Sequence, residues 1–192
     1  PGSRIAEVSR LLPIFAKTIA QLTEIIPNLR VVMPTVETVA DTVRHGLERW
    51  PTPVTVINSE DEKFDALAAA DVSLAASGTV ALELAMSGTP AIIAYRMNPI
   101  TGWLAKRLIR VRFANLVNLI LDREAVPERL LNQCRPEVLI DDLSELLGNP
   151  DAQAAQRAAY DQALTELGRG EDVPPSRRAA RVVLSVIGST AP

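Results

Sequence analysis

The stretch ADVSLAASGTVALELAMSGTPAIIAYR, residues 70–96, decides the fold. Residues 72–75 and 90–95 are short apolar runs of strand length. Between them, Ser77 and Gly78 form a turn that leads into a helical segment over residues 79–87. Alternation of strand and helix means parallel βαβ units, and it continues outward. Upstream, residues 54–57 and 29–33 read as strands, the second closed by Pro34, with helices predicted over residues 61–70 and 36–49. The latter stops at Trp50-Pro51-Thr52-Pro53, because a residue before proline is pushed out of the helical region. Near the start, Ile5, Val8, Leu12, Phe15, Ile19, Leu22 and Ile26 recur every three or four positions, which predicts an amphipathic helix to about Pro27. Pro13 should kink that helix or delay its first turn. Downstream, the pattern predicts a helix around residues 100–109, an irregular stretch through Asn118, and helices over residues 136–147 and 151–167. A breaker-rich linker at 168–175 and a last short helix over 177–187 follow. The fold class is α/β, a mostly parallel sheet with helices on both faces, and such sheets bind ligands outside the carboxyl ends of their strands.

With 192 residues, 47% of them apolar, and a net charge of −3, the chain has material for one full core and little room for a second large domain. Its 20 basic and 23 acidic residues leave no electrostatic footprint for wrapping nucleic acid, so no nucleic-acid partner is expected. The most apolar stretch, residues 66–94, is interrupted by Asp71, Ser73, Ser77, Glu83 and Pro90, and a bilayer-spanning helix needs about 20 apolar residues in a row. Cys134 is the single cysteine and His45 the single histidine, which excludes an internal disulfide and a Cys/His metal cluster. A reducing compartment and no structural metal are the expectations. Pro1 is not an initiator methionine, and no signal-peptide pattern precedes it, so the chain is expected to be a piece of something longer.

Three constellations fall at strand ends. The first is Pro1-Gly2-Ser3-Arg4. With a strand upstream, Gly2 permits a tight turn and Ser3 caps the first helix, whose free N–H groups favour an anion; Arg4 adds a planar fork for phosphate oxygens. The same four residues also fit an ordinary capped helix with a solvated arginine. The second is the turn at Ser77-Gly78, whose exposed amides suit a diphosphate. Thr79 and Glu83, four apart, share the helix face that points back to that space. A carboxylate there is placed to accept hydrogen bonds from ribose hydroxyls, or it simply complements the helix dipole.

The third constellation is the window from Arg96 to Arg112. Arg96, Lys106, Arg107, Arg110 and Arg112 occur there without an acid, which makes it +5 and leaves −8 for the remainder. Trp103, Lys106 and Arg110 share a helical face suited to an anionic membrane surface, an anionic ligand or plain solvent. Asn115 and Asn118 follow in a turn region, where an amide serves sugar hydroxyls, phosphate oxygens or the local backbone. His45 has no triad partner, and Glu60, Asp61 and Glu62 read as the acidic first turn of a helix. Nothing supplies a convincing general base or nucleophile.

These motifs, in this order, resemble the lipid-A-disaccharide synthase family, nucleotide-sugar glycosyltransferases with two Rossmann-like domains facing a cleft, the GT-B arrangement. The carriers are PGSR followed by Glu7-Val8, the block over residues 70–96, TGWLAKRLIRV over residues 101–111, and Asn118-Leu119-Ile120. The resemblance covers nearly the whole chain. It implies a Rossmann-like parallel sheet with flanking helices, the C-terminal half of a GT-B glycosyltransferase. Residues 1–168 would be the UDP-sugar-binding domain, and residues 169–192 a linker and helix packing back toward an upstream half. The implied reaction moves 2,3-diacylglucosamine from UDP to 2,3-diacylglucosamine 1-phosphate with inversion, giving a β-1,6 disaccharide.

Carried over by motif, Gly2, Ser3 and Arg4 fall at the phosphate loop, Ser77, Gly78 and Thr79 at a second loop, Glu83 at the ribose and Asn118 near the diphosphate. Arg4, Arg96 and Lys106 are the side chains implied to offset the leaving diphosphate, with Asn118 beside them and without metal or other cofactor. The implied partners are the UDP-diacylglucosamine donor, a lipid acceptor, an anionic membrane surface and a second copy paired through the C-terminal region. The implied location is cytoplasmic, peripheral to the inner membrane. The catalytic base is implied to lie in the acceptor-side half, so this chain alone is expected to bind nucleotide without transfer. Val117 stands where the family usually has a proline. The SGT block would also fit a peptidoglycan transferase, a UDP-sugar epimerase or a non-catalytic nucleotide module; LAKRL followed by NLI would then lose its explanation.

Overall fold

The structure, a computed structural model, describes residues 1–97 and 112–189. Its strands are β1 (Val31–Pro34), β2 (Val54–Ile57), β3 (Ser73–Ala76), β4 (Ala91–Tyr95) and β5 (Glu128–Leu130). Its helices are α1 (Ile5–Ile25), α2 (Ala40–Leu47), α3 (Glu60–Ala69), α4 (Val80–Ser87), α5 (Leu116–Leu121), α6 (Pro136–Gly148), α7 (Pro150–Glu166) and α8 (Pro175–Ser189). The helix expected at residues 100–109 lies outside the described residues. Every strand pair is parallel: Val31 faces Val54, Ser73 faces Ala91 and Ile93 faces Glu128. Among the described residues they form two sheets, β1-β2 and β3-β4-β5, where the sequence reading has a single one.

The strand β4 shows why its sequence is an unbroken apolar run. Successive side chains point to opposite faces of a sheet. Ala91 and Ile93 enter one core with Leu84 and Ala85 of α4, Val117 of α5 and Tyr160, Ala163 and Leu164 of α7. Ile92 and Ala94 enter another with Leu11, Phe15 and Leu22 of α1 and Leu139, Leu143 and Leu146 of α6. A strand buried on both faces has no polar positions to alternate. At Ala91, where β5 does not reach, the buried Gln156 side chain takes the place of a strand neighbour. It accepts from the Ala91 N–H at 2.8 Å and donates to the Ala91 carbonyl at 3.2 Å. The Tyr160 hydroxyl donates to Gln156 at 3.2 Å, and burial pushes that phenol's pKa up.

Helix α1 packs on both sheets. Val8 and Leu12 meet Met33 of β1 and Val39 and Val43 around α2, while Leu11, Phe15 and Leu22 meet the β3-β4 side. The helix runs without a break from Ile5 through Pro13, so its first turn is not delayed. Pro13 and Ser9, whose carbonyl loses its usual donor, are both exposed to water. Two further expectations are corrected. A 3-10 turn at Glu37–Val39 precedes α2, and α5 begins inside the stretch read as irregular through Asn118, with β5 following where the sequence pattern assigns no element. Helix α5 has 6 residues and β5 has 3, too few to show a period, and Glu128 and Arg129 remove any apolar run from β5. The Arg129 guanidinium ties β5 to α6 through a two-pronged pair with Asp142, Nε to Oδ2 at 2.5 Å and Nη2 to Oδ1 at 2.8 Å.

Leu12 is 4% exposed and sits where α1 meets β1 and α2. Leu12→Ala is expected to lower stability by about 2–5 kcal/mol. In urea unfolding this reads as a lower midpoint with one transition and an unchanged slope.

Candidate functional site

Strand β3 ends at Ala76, and Ser77-Gly78-Thr79 turns the chain into α4. Gly78 has φ +154°, in the region that favours glycine, and the space a Cβ would occupy is open. Thr79 stands at the N-cap without a side-chain cap; the Ala81 and Leu82 N–H groups turn back to the Gly78 and Thr79 carbonyls at 3.3 and 2.9 Å, which leaves the N–H groups of Gly78, Thr79 and Val80 for another acceptor. Ser77 is held twice: its N–H donates to the Ala94 carbonyl at 3.1 Å and its hydroxyl to the Ala114 carbonyl at 3.2 Å. The chain start comes to the same place. Gly2 has φ +119°, and a Cβ on it would sit 2.9 Å from Glu7 Cβ and 3.7 Å from Ala76 Cβ. Two motifs separated by more than seventy positions thus meet at the carboxyl end of β3.

The first of those motifs departs from expectation in one respect. The N-cap of α1 is Arg4, not Ser3, because the backbone at Arg4 is still extended (φ −119°, ψ 140°), and no side chain caps the helix. The Arg4 carbonyl accepts from Glu7 and Val8, and its guanidinium lies 2.8 Å from Glu7 Oε1 with 79% of the side chain exposed. Ser3 is exposed beside it. Arg96, exposed just past β4, donates to the Cys134 carbonyl at 3.0 Å. Burial pushes the Cys134 thiol's pKa up, against the opposing charge of Arg96. Lys106 lies outside the described residues, as do Trp103 and Arg110. Arg112 stacks its guanidinium 5.1 Å from the Phe113 ring, at the mouth of a cleft of about 220 Å³ that Glu128 and Arg129 also line.

Glu83, in the first turn of α4, has a partner the sequence reading missed. Its Oε1 lies 3.3 Å from Lys63 Nζ, which also sits 2.7 Å from Glu60 and 4.7 Å from the Phe64 ring centre. Burial works against the Lys63 ammonium, but hydrogen bonds and charge from Glu60 and Glu83 outweigh it and raise its pKa. The Glu60–Lys63 spacing is visible in sequence; the reach from α3 to α4 is not.

The two asparagines serve backbone. Asn115 Oδ1 caps α5 by accepting from Val117 N–H at 2.8 Å, a bond that the family's usual proline at position 117 has no N–H to make. Asn118 is fully buried within α5. Its Oδ1 accepts from Ala125 and Val126 N–H at 2.8 and 2.9 Å, and its Nδ2 donates to the Val126 carbonyl and to Glu128 Oε1, each at 2.7 Å. The structure therefore brings Gly2 to Ala76, next in sequence to the Ser77-Gly78 turn, and commits Asn118 to the backbone at Ala125 and Val126 and to Glu128. Among the described residues, no three His, Cys, Asp or Glu side chains cluster as metal ligands, and no helix is long and apolar enough to cross a membrane.

Parallel strands between helical layers, with two glycine turns meeting at a strand's carboxyl end, define a Rossmann-like α/β protein. The chain belongs to the lipid-A-disaccharide synthetase family, whose model matches residues 1–183. It is 49% identical over 187 residues to the lipid-A-disaccharide synthase of Rhodospirillum centenum, covering 97% of this chain and 46% of that relative. The synthase of Paramagnetospirillum magneticum is 44% identical over 189 residues, with 97% and 48% covered, and that of Gluconobacter oxydans 38% over 183 residues, with 95% and 44% covered. The chain spans about half the length of these relatives.

Removing the Asn118 amide leaves the Ala125 and Val126 N–H groups without their acceptor. Asn118→Ala is expected to lose about 2–6 kcal/mol, from two N–H groups at about 1–3 kcal/mol each. Urea unfolding followed by circular dichroism measures it.

Proposed function

We propose that this chain is the donor-binding portion of a glycosyltransferase of lipid A biosynthesis. It takes the UDP part of UDP-2,3-diacylglucosamine during transfer, with inversion, to 2,3-diacylglucosamine 1-phosphate. The observation that carries this reading is the contact between the Gly2 turn and the end of β3, which sets the uncapped starts of α1 and α4 beside one another. Helix starts present N–H donors and the positive end of a dipole. Two of them side by side suit a diphosphate, whose negative charge grows as the sugar departs.

In this proposal the acceptor hydroxyl displaces the diphosphate directly at the anomeric carbon. The proton goes to a base outside this chain. Ser77 shapes its turn, and the backbone N–H groups of Gly78, Thr79 and Val80 and those following Gly2, Ser3 and Arg4 hold the phosphates. Among the described residues Arg4 reaches Glu7 and Arg96 the Cys134 carbonyl through Nη1, which leaves the other guanidinium donors for phosphate oxygens, and Lys106 joins them from the basic window. Glu83, steadied on one oxygen by Lys63, accepts from the ribose hydroxyls. Asn118 acts through the loop it holds.

We extend the proposal to the surroundings. Helix α8 exposes Val182, Val183 and Leu184, and with the linker before it packs back on the upstream half. Residues 1–168 then form the UDP-sugar-binding domain. The basic window faces the anionic inner-membrane surface where the lipid acceptor resides, and two copies pair through this C-terminal portion.

Calorimetric titration of the chain with UDP is expected to give a saturable heat, and Arg4→Ala to weaken it about 10- to 100-fold, the worth of a charge-assisted hydrogen bond of 1.5–3 kcal/mol. Absence of heat at millimolar UDP overturns the reading. In the full-length protein, Arg4→Ala and Glu83→Ala are expected to cut transfer from radiolabelled donor at least tenfold; near-normal rates would remove those two assignments.

A further inference from the structure

We infer that Glu128 is a positioning residue for the Ser77-Gly78-Thr79 loop, acting through the turn at Ala114-Asn115; its link to catalysis rests on the donor-site reading above. Glu128 lies in β5 opposite Ile93 and is 7% exposed. A polar side chain so buried needs hydrogen-bond partners. Among the described residues it has three donors: Ala114 N–H to Oε2 at 2.7 Å, Asn115 N–H to Oε1 at 3.0 Å and Asn118 Nδ2 to Oε1 at 2.7 Å. Two of them are consecutive backbone amides, so the carboxylate fixes the turn rather than a side chain.

The same turn supports the loop. The Ala114 carbonyl accepts the Ser77 hydroxyl at 3.2 Å, so residue 114 is held by Glu128 through its N–H and holds Ser77 through its carbonyl. A relay of two hydrogen bonds therefore runs from buried β5 to the turn after β3. Holding β5 itself does not require this carboxylate. Its backbone pairs with β4, and Arg129, the next residue, anchors it to Asp142 of α6. The Glu128 side chain is left with the turn as its task.

The test is Glu128→Gln, which keeps the shape and replaces one acceptor oxygen with a donor facing backbone N–H groups. In the ligand-free chain, hydrogen exchange at the bonded amides of Ser77, Ala114 and Asn115 is expected to quicken at least tenfold while β3 and β4 stay protected. UDP affinity is expected to fall about tenfold. Ser77→Ala added to Glu128→Gln should cost little more than either change alone, because both cut one relay. Unchanged exchange at Ser77, or fully additive losses, overturns the inference.

Should Glu128→Gln not fold, Ser77→Ala alone must move the Ala114 and Asn115 amide resonances; if they stay in place the relay does not exist. The two readings separate cleanly. Exchange that responds in a chain with no affinity for UDP removes the donor site and keeps the relay. Tight UDP binding with unmoved exchange does the reverse.

Discussion

The packing of one helix on two sheets is the constraint from which the rest follows. The β1-β2 and β3-β4-β5 sheets share no ladder among the described residues. Their relation is set by α1, which buries Val8 and Leu12 on one side and Leu11, Phe15 and Leu22 on the other. Residues four apart share a helix face, so the pairs Val8/Leu12 and Leu11/Phe15 form two adjacent stripes, together broad enough for both cores. Full burial of such side chains is worth about 1.5–3 kcal/mol each. Five of them outweigh the roughly 3 kcal/mol that an internal proline costs, which is why α1 passes through Pro13. With α1 fixed against both sheets, its first turn is fixed too, and Gly2 meets Ala76.

Short strands impose a second requirement. A ladder of three or four residues runs out while neighbouring backbone is still buried, and its N–H and carbonyl groups need partners. Side chains supply them. Gln156 pairs with Ala91 where β5 stops short, Glu128 takes the amides of Ala114 and Asn115, and Asn118 closes the turn at Ala125 and Val126. Each of these polar groups is buried; Gln156 replaces a missing strand neighbour, and Glu128 and Asn118 hold turn backbone. The amino end of the sheet and the loops behind the site are therefore stiffened by side chains, while the carboxyl edge keeps backbone groups open.

The βαβ alternation was legible because it depends on local pattern: strands buried on both faces read as apolar runs, and β2 lies over residues 54–57 as the sequence suggests. Helix α5 and strand β5 were not legible, since a 6-residue helix and a 3-residue strand carrying Glu128 and Arg129 exist only through tertiary contacts. At the site, Gly2 and Gly78 could be read because a positive φ is a local demand. Ser3 was misread as the cap by one position, since the backbone stays extended through Arg4. The partners of Asn118 lie 7–10 positions along the chain and those of Lys63 include Glu83 on another helix, so neither pairing leaves a periodic trace.

The near-neutral average charge of the chain is resolved at the carboxyl edge into acids already engaged and donors still open. Glu7 faces Arg4, Glu83 faces Lys63, and Glu128 is taken up by backbone and Asn118. None of these carboxylates presents an unopposed negative charge to an approaching anion. What remains among the described residues is the backbone of two glycine turns and the outer edges of Arg4 and Arg96. Under the donor-site proposal, recognition of the diphosphate then rests on the shape of the turns more than on any single cation. A guanidinium on a flexible, exposed stem adapts to a lost neighbour, whereas a turn at φ +154° has no alternative conformation that keeps its amides aimed at the same point. The two hydrogen bonds that hold Ser77 beside that turn therefore matter to the site in proportion to how little else holds it.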